Sequence, residues 1–120
     1  MQERPSVLIV DDDPMHQRIY GWIVEAAGYR ALHAQVLSKG VHLPDDHADL
    51  VLLDYHLGRQ IDAVETAKLI RSRLPKTAVI VLSDALVLPE DIAPHVHGFV
   101  RKGDPPKLVE TIHKLLQPPP

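Results

Sequence analysis

A chain of 120 residues and 13.4 kDa has room for one domain with a genuine hydrophobic core, and not for two. Hydrophobic residues make up 45 % and charged residues 24 %, ordinary usage for a globular fold, and cysteine is absent, which removes disulfides, thiolate nucleophiles and cysteine-ligated metals. With 13 Lys and Arg against 16 Asp and Glu, a net charge of −3 and only 4 % aromatics, the chain lacks the basic surface and stacking platform of a nucleic-acid binder. No run approaches the length of a membrane-spanning helix. The opening Met1-Gln2-Glu3-Arg4-Pro5 leads straight into a short apolar run without the pattern of a signal peptide. A cytoplasmic protein without membrane insertion or direct nucleic-acid binding is the expectation.

The first apolar run is Val7-Leu8-Ile9-Val10, a strand. Asp13 is placed to cap the helix that follows, with Pro14 at its first position. Met15, Ile19, Trp22, Ile23, Ala26 and Ala27 recur at three and four residues and predict its apolar face, with Gly28 as the stop. Tyr29-Arg30-Ala31-Leu32 reads as a weaker strand at a sheet edge. Residues 35–49 contain Gly40 and Pro44 and have room for only a short helix. Leu50-Val51-Leu52-Leu53 is a third strand, and Ala63, Val64, Ala67, Ile70 and Leu74 mark a second clear helix closed by Pro75. Ala78-Val79-Ile80-Val81-Leu82 is the fourth strand. Residues 86–97 carry Pro89 and Pro94, so their helix must be short or irregular. Gly98-Phe99-Val100 is the fifth strand, again at an edge. Leu108, Val109, Ile112, Leu115 and Leu116, reached through Pro105-Pro106, form the last helix. Residues 1–117 make one domain, and the prolines at 118–120 are a tail or the start of a linker.

Strands one, three and four are nearly continuous apolar runs, the pattern of strands buried on both faces of a parallel sheet. Strand and helix alternate, so the expected fold class is α/β, one doubly wound five-stranded parallel sheet with helices on both faces. Ligands of such sheets bind beyond the carboxyl ends of the strands. Strand one ends in Asp11-Asp12-Asp13, strand three in Asp54, strand four in Ser83, and strand five runs into Arg101 and Lys102. Carboxylates converging there repel one another unless a cation joins them. Oxygen ligands without cysteine suit Mg²⁺. A carboxylate fixed by core packing, as at Asp54, is a ligand or a nucleophile toward phosphorus. Lys102 and Ser83 would donate to phosphoryl oxygens.

Each residue also has a plain explanation. Asp13 is a helix cap before it is a ligand, Asp11 and Asp12 can be a solvated turn, and Asp54 can simply start a loop. Serine after a strand and lysine at a surface are common. Joint placement on one rim is what argues against coincidence. The 8 histidines are scattered, and none forms a His-Glu-x-x-His zinc signature. His95-Val96-His97 reads as a surface turn. His56 borders Asp54 without an evident acid–base task. No glycine-rich nucleotide loop is present.

These residues resemble the receiver domain of two-component response regulators (CheY-like). The likeness runs from Val7 to about Leu116, so that residues 1–117 would be the receiver. Val7-Leu8-Ile9-Val10-Asp11-Asp12-Asp13-Pro14 resembles the opening strand and acidic pair, with Asp12 as the more direct Mg²⁺ ligand beside Asp11. Leu52-Leu53-Asp54-Tyr55-His56-Leu57 resembles the phosphoacceptor motif. Asp54 would then take the phosphoryl group and also contact the metal, and the backbone carbonyl of His56 would complete the metal site. Ser83 matches the hydroxyl that closes on the phosphate, Lys102 the lysine, and Phe99 the switch aromatic. The resemblance implies a flavodoxin-like strand order 2-1-3-4-5. It implies transfer from a histidine kinase or histidine phosphotransfer domain to Asp54, followed by slow autodephosphorylation, in a regulator rather than a metabolic enzyme. It also implies a switched surface around the fourth helix, fifth strand and fifth helix that engages a downstream output protein or domain, or a second copy as a homodimer.

Four positions depart from the family pattern. Ala63 follows Asp62 where glycine is usual, and Gly58-Arg59-Gln60-Ile61 replaces a proline-containing turn. Gly103 stands where many members have proline after the lysine, and Asp84 stands where small residues are common. They leave an alternative, a receiver-like protein-interaction module that works without phosphorylation. A haloacid-dehalogenase-like phosphatase is disfavoured, because no Asp-x-Asp nucleophile and acid pair stands in the right context.

Overall fold

Strands whose side chains are buried on both faces belong in the middle of a sheet covered from both sides, and the two most apolar runs of the chain lie there. In a computed structural model, which describes residues 4–38, 40–44, 47–58 and 60–116, the elements in chain order begin with β1 (Ser6–Val10), α1 (Pro14–Ala26) and β2 (Arg30–His33). Two short strands follow, β3 (Gln35–Leu37) and β4 (Gly40–His42), then β5 (Leu50–Asp54) and α2 (Ala63–Arg73). The chain continues with β6 (Ala78–Ser83), a 3₁₀ turn at Ala93–His95, β7 (Gly98–Arg101) and α3 (Pro105–Leu116). The tail at 118–120 lies outside the described residues.

Five strands pair in parallel in the order β2-β1-β5-β6-β7. Counted within that sheet, the order is 2-1-3-4-5, as expected. All five residues of β1 and of β5 are buried. Alternate residues feed two cores. Val7, Ile9, Leu50, Leu52, Ile80, Leu82 and Val100 pack with Val24, Leu108 and Ile112 on the α1–α3 side. Leu8, Val10, Val51, Leu53, Val79 and Val81 pack with Ala63, Ala67, Ile70 and Ile92 on the α2 side.

Three expectations need correction. Among the described residues of 35–49 there is no helix: β3 and β4 form an antiparallel pair, and Val36 and Val41 pack on the α2-side core where a crossover helix would have lain. Gly40 and Pro44, both poor in a helix interior, favour this outcome. The short or irregular helix expected at residues 86–97 is reduced to the 3₁₀ turn at Ala93–His95, with Pro94 inside it. The region where a switched surface is expected around a fourth helix consists of β7, α3 and an irregular segment with Leu86 and Val87 exposed.

The third correction concerns α1, which exists as predicted but is turned. Met15, Ile19 and Trp22 are 59, 40 and 67 % exposed, whereas Gly21 and Val24 are buried and Tyr20, Ile23 and Ala27 pack on the core. Two apolar stripes run side by side on this helix, and spacing alone does not say which faces inward. Gly21 marks the inner one: a Cβ there would sit 3.5 Å from the His33 ring.

Candidate functional site

The parallel register sets the carboxyl ends of β1, β5 and β6 beside one another, and each ends in a buried polar residue: Asp11, Asp54 and Ser83. β7 pairs with β6 so that Ser83 lies opposite Arg101. The next residue, Lys102, donates its backbone N–H to the Ser83 carbonyl at 2.9 Å. Its ammonium then reaches back across the strand ends to Asp54 Oδ1 at 2.7 Å. The Asp54 carboxylate also accepts the His56 N–H at 3.1 Å, again on Oδ1. The Ser83 hydroxyl oxygen accepts the Ala85 N–H at 3.1 Å, which leaves the hydroxyl proton free to donate.

Asp11 is the most constrained acid. Its Oδ1 accepts the Asp13 N–H at 2.9 Å, while Oδ2 is buried without a hydrogen-bond partner among the described residues. Its carboxyl is pushed up to about 6 from an ordinary 3.8. Burial is the main cause and the Asp54 charge adds to it; the Asp13 amide, His16 and Lys102 act in the opposite direction. Burial alone would weaken the charge of Lys102, yet the hydrogen bond and charge of Asp54 outweigh it and hold the ammonium above its usual range. One cation thus sits among several acids, and an orphaned buried carboxylate oxygen faces the same space. A divalent cation suits that donor set.

Asp12 is exposed and points toward the loop after β5, where a Cβ on Gly58 would lie 3.5 Å from its Oδ2. It stands outside the group of side chains that could jointly hold an ion. Among the described residues that group is Asp11, Asp54 and His16, each offering an atom within 4.8 Å of the others. The His56 side chain is exposed. Asp13 caps α1, its carboxylate accepting the Met15 N–H at 2.9 Å. Phe99 is half-buried against the α2-side core, opposite Val81.

His16 was not singled out by sequence reasoning. The usable signal was its place two residues after Pro14, in the first turn of a helix that starts at a strand-end acid. The departures from the family pattern are accommodated locally. Ala63 is the first residue of α2, buried behind the Asp62 cap, whose carboxylate accepts the Val64 N–H at 2.8 Å. Gly103 turns the chain at φ +87°, a left-handed conformation that glycine adopts without strain, and no peptide among the described residues is cis. Asp84 is exposed and helps line a cavity of about 350 Å³ with His16, Ile19, Leu108 and Lys102.

A family model described as the response regulator receiver domain matches residues 7–113. Among solved structures, a CheY-like response regulator receiver domain protein from Methanospirillum hungatei JF-1 superposes with a TM-score of 0.77 at 24 % identity, covering 94 % of each chain. The response regulator TrrA from Thermotoga maritima, solved in complex with Mg(2+)-BeF, gives 0.76 at 24 % identity over 93 % of this chain and 99 % of that one. Another response regulator from Thermotoga maritima gives 0.75 at 20 % identity, covering 94 % of this chain and 98 % of its own. At such identities the likeness to solved structures is one of fold. No curated protein gives a significant match.

Proposed function

This chain belongs to the response regulator receiver family, and from that footing we propose that it accepts a phosphoryl group on Asp54 in a two-component His–Asp relay. The observation that supports this most is the convergence of Asp54, Lys102 and Ser83 at the ends of neighbouring strands, with Lys102 Nζ 2.7 Å from the acceptor carboxylate. Asp54 Oδ1 is held by Lys102 and the His56 amide, so Oδ2 is the oxygen assigned as nucleophile. It attacks the phosphorus of a phosphohistidine; the P–N bond breaks, and the imidazole leaves with its electron pair and takes up a proton. Lys102 and the Ser83 hydroxyl then donate to the oxygens of the acyl phosphate. Attack by water on that phosphorus later returns Asp54 as the carboxylate.

Mg²⁺ fits the centre, with Asp11 and Asp54 as holding residues and Asp12 and the His56 carbonyl as further oxygens at its margin; TrrA's complex with Mg(2+)-BeF supports the same choice. When bound, the ion would neutralise the acids and polarise phosphoryl oxygens. Asp11 contributes the buried oxygen that otherwise has no partner.

The donor is a histidine kinase or histidine phosphotransfer domain. Met15, Ile19 and Trp22 form an exposed apolar stripe on α1, contiguous with the cavity at Ile19 beside Lys102, and such a patch favours a docked protein. Phosphorylation would draw Ser83 inward and shift Phe99, changing the surface of β7 and α3 that an output domain or a second copy reads. No helix among the described residues is long and apolar enough to cross a membrane.

Intact mass after incubation with acetyl phosphate and Mg²⁺ tests the acceptor. Uptake of one phosphoryl group by the wild type and none by Asp54→Asn is expected. Uptake at full rate in Asp54→Asn would refute the acceptor. Failure of both acetyl phosphate and a cognate phosphohistidine donor would favour a phosphorylation-independent interaction module.

A further inference from the structure

Nothing in the relay chemistry above uses His16. Its helix starts at Pro14 behind the Asp13 cap, so His16 stands in the first turn, where side chains lean back toward the helix N-terminus. The ring therefore overhangs the carboxyl end of β1. Nδ1 lies 3.4 Å from Asp11 Oδ2, and Nε2 lies 3.6 Å from Asp13 Oδ2. Both Nδ1 and Asp11 Oδ2 are buried, and neither has a hydrogen-bond partner among the described residues. At 3.4 Å the two atoms face each other without a hydrogen bond, so each keeps a bonding capacity that a shared cation would satisfy. Since the Asp11 side chain is only 1 % exposed, bulk water does little to satisfy its free oxygen.

The third side of the space belongs to Asp54, and one atom from each of the three residues lies within 4.8 Å of the others. Donors that share one ion at metal–ligand distances of about 2.0–2.2 Å stand roughly 3–4.4 Å apart, so only a small contraction separates this arrangement from a coordination sphere. We propose that His16 is a direct ligand of the divalent cation, so that this centre favours an imidazole-accepting first-row ion over Mg²⁺ more strongly than an all-oxygen centre would. The inference rests on the reading of Asp11 and Asp54 as metal-holding residues. Its chemistry is ligand softness: Mg²⁺ takes oxygen donors and keeps much of its water, whereas imidazole nitrogen strengthens binding of Co²⁺, Ni²⁺ or Zn²⁺. The side chain of His16 is 43 % exposed, so the ring can swing by the small amount needed without disturbing the core.

Co²⁺ and Mg²⁺ are titrated separately into the full chain, and each is competed against the other. Binding is read from cobalt d–d absorbance and from ¹⁵N resonances of the imidazoles. The same is done with His16→Asn, His16→Gln and Asp54→Asn. The wild type should bind Co²⁺ at least about tenfold more tightly than Mg²⁺, with the His16 ring nitrogen shifted by the ion. Both His16 variants should lose most of that preference and change Mg²⁺ affinity by less than about threefold, while Asp54→Asn weakens both ions. Equal Co²⁺ affinity in wild type and His16 variants, or an unmoved His16 resonance, would overturn the proposal and leave the carboxylate centre standing. Absence of any competing site for either ion, with Asp54→Asn indistinguishable from wild type, would overturn the centre and the proposal together.

Discussion

Replacing Asp11 by Asn should stabilise the metal-free protein, although it removes a residue placed in the site. The folded-state carboxyl titrates at about 6 against an ordinary 3.8, a displacement of about two pH units, or about 3 kcal/mol. The native state keeps the proton longer than the unfolded chain. Asp11 therefore costs nothing below both values, and its cost grows as pH rises from 3.8 to about 6 and is complete above that. The amide is a close isostere. Its oxygen can still accept the Asp13 N–H, and its –NH₂ can stand where Oδ2 now does and donate to His16 Nδ1, 3.4 Å away. Urea denaturation in the presence of a chelator, at about pH 8 and about pH 4, measures the effect. The gain from Asp11→Asn should be about 2 kcal/mol larger at the higher pH. Saturating divalent cation should narrow the gap by stabilising the wild type alone. A gain equal at both values, or none at about pH 8, would refute the claim that Asp11 is held against its own desolvation.

Lys102→Met removes the ammonium that pairs with Asp54 and should slow uptake from acetyl phosphate by roughly 100-fold, as loss of a charged donor to a transferring group does; a rate within about threefold of wild type would argue against that role. His97 accepts the Val79 N–H on Nδ1 at 2.9 Å, and burial, with Arg71 nearby, holds it below its usual value of 6.5. The neutral ring is the one that folding favours, so its contribution is present above 6.5 and is lost as pH falls through the lowered value. His97→Asn, which keeps an acceptor in place, should flatten that part of the stability profile relative to wild type in denaturant titrations. Gly98→Val should destabilise by about 1–3 kcal/mol, because a Cβ there would lie 3.4 Å from Ile80, Thr111 and Leu115 at once; thermal melts would show it.

Strands were legible where the physics is local to the chain. Val7–Val10, Leu50–Leu53 and Ala78–Leu82 are uninterrupted apolar runs, each followed at once by a polar residue, so both the strands and those residues could be read directly. Helix faces were less legible. On α1 the periodicity is satisfied by two stripes, and Met15, Ile19 and Trp22 belong to the outer one; only tertiary packing against Ala31 and His33 distinguishes them. The β3–β4 pair escaped notice because three-residue strands have almost no period to detect. Asp54, Ser83 and Lys102 followed from strand ends, which fix backbone position. His16 did not, since its contribution depends on how a helix turns back over a neighbouring strand.

The hydrogen bond from the Lys102 N–H to the Ser83 carbonyl means that the two residues are not independent sensors. Serine and lysine stand at opposite ends of one peptide-to-peptide link across the strand ends, so a pull on the hydroxyl would pass directly to the backbone that carries the ammonium. A ligand that engages one group recruits the other at little added entropic cost. The edge strand β7 would then follow as a unit, since among the described residues only a 3₁₀ turn precedes it after β6. If Asp54 is phosphorylated as proposed, detection and output would share this link, and the left-handed turn at Gly103 is where α3 would follow a movement that begins at the strand ends.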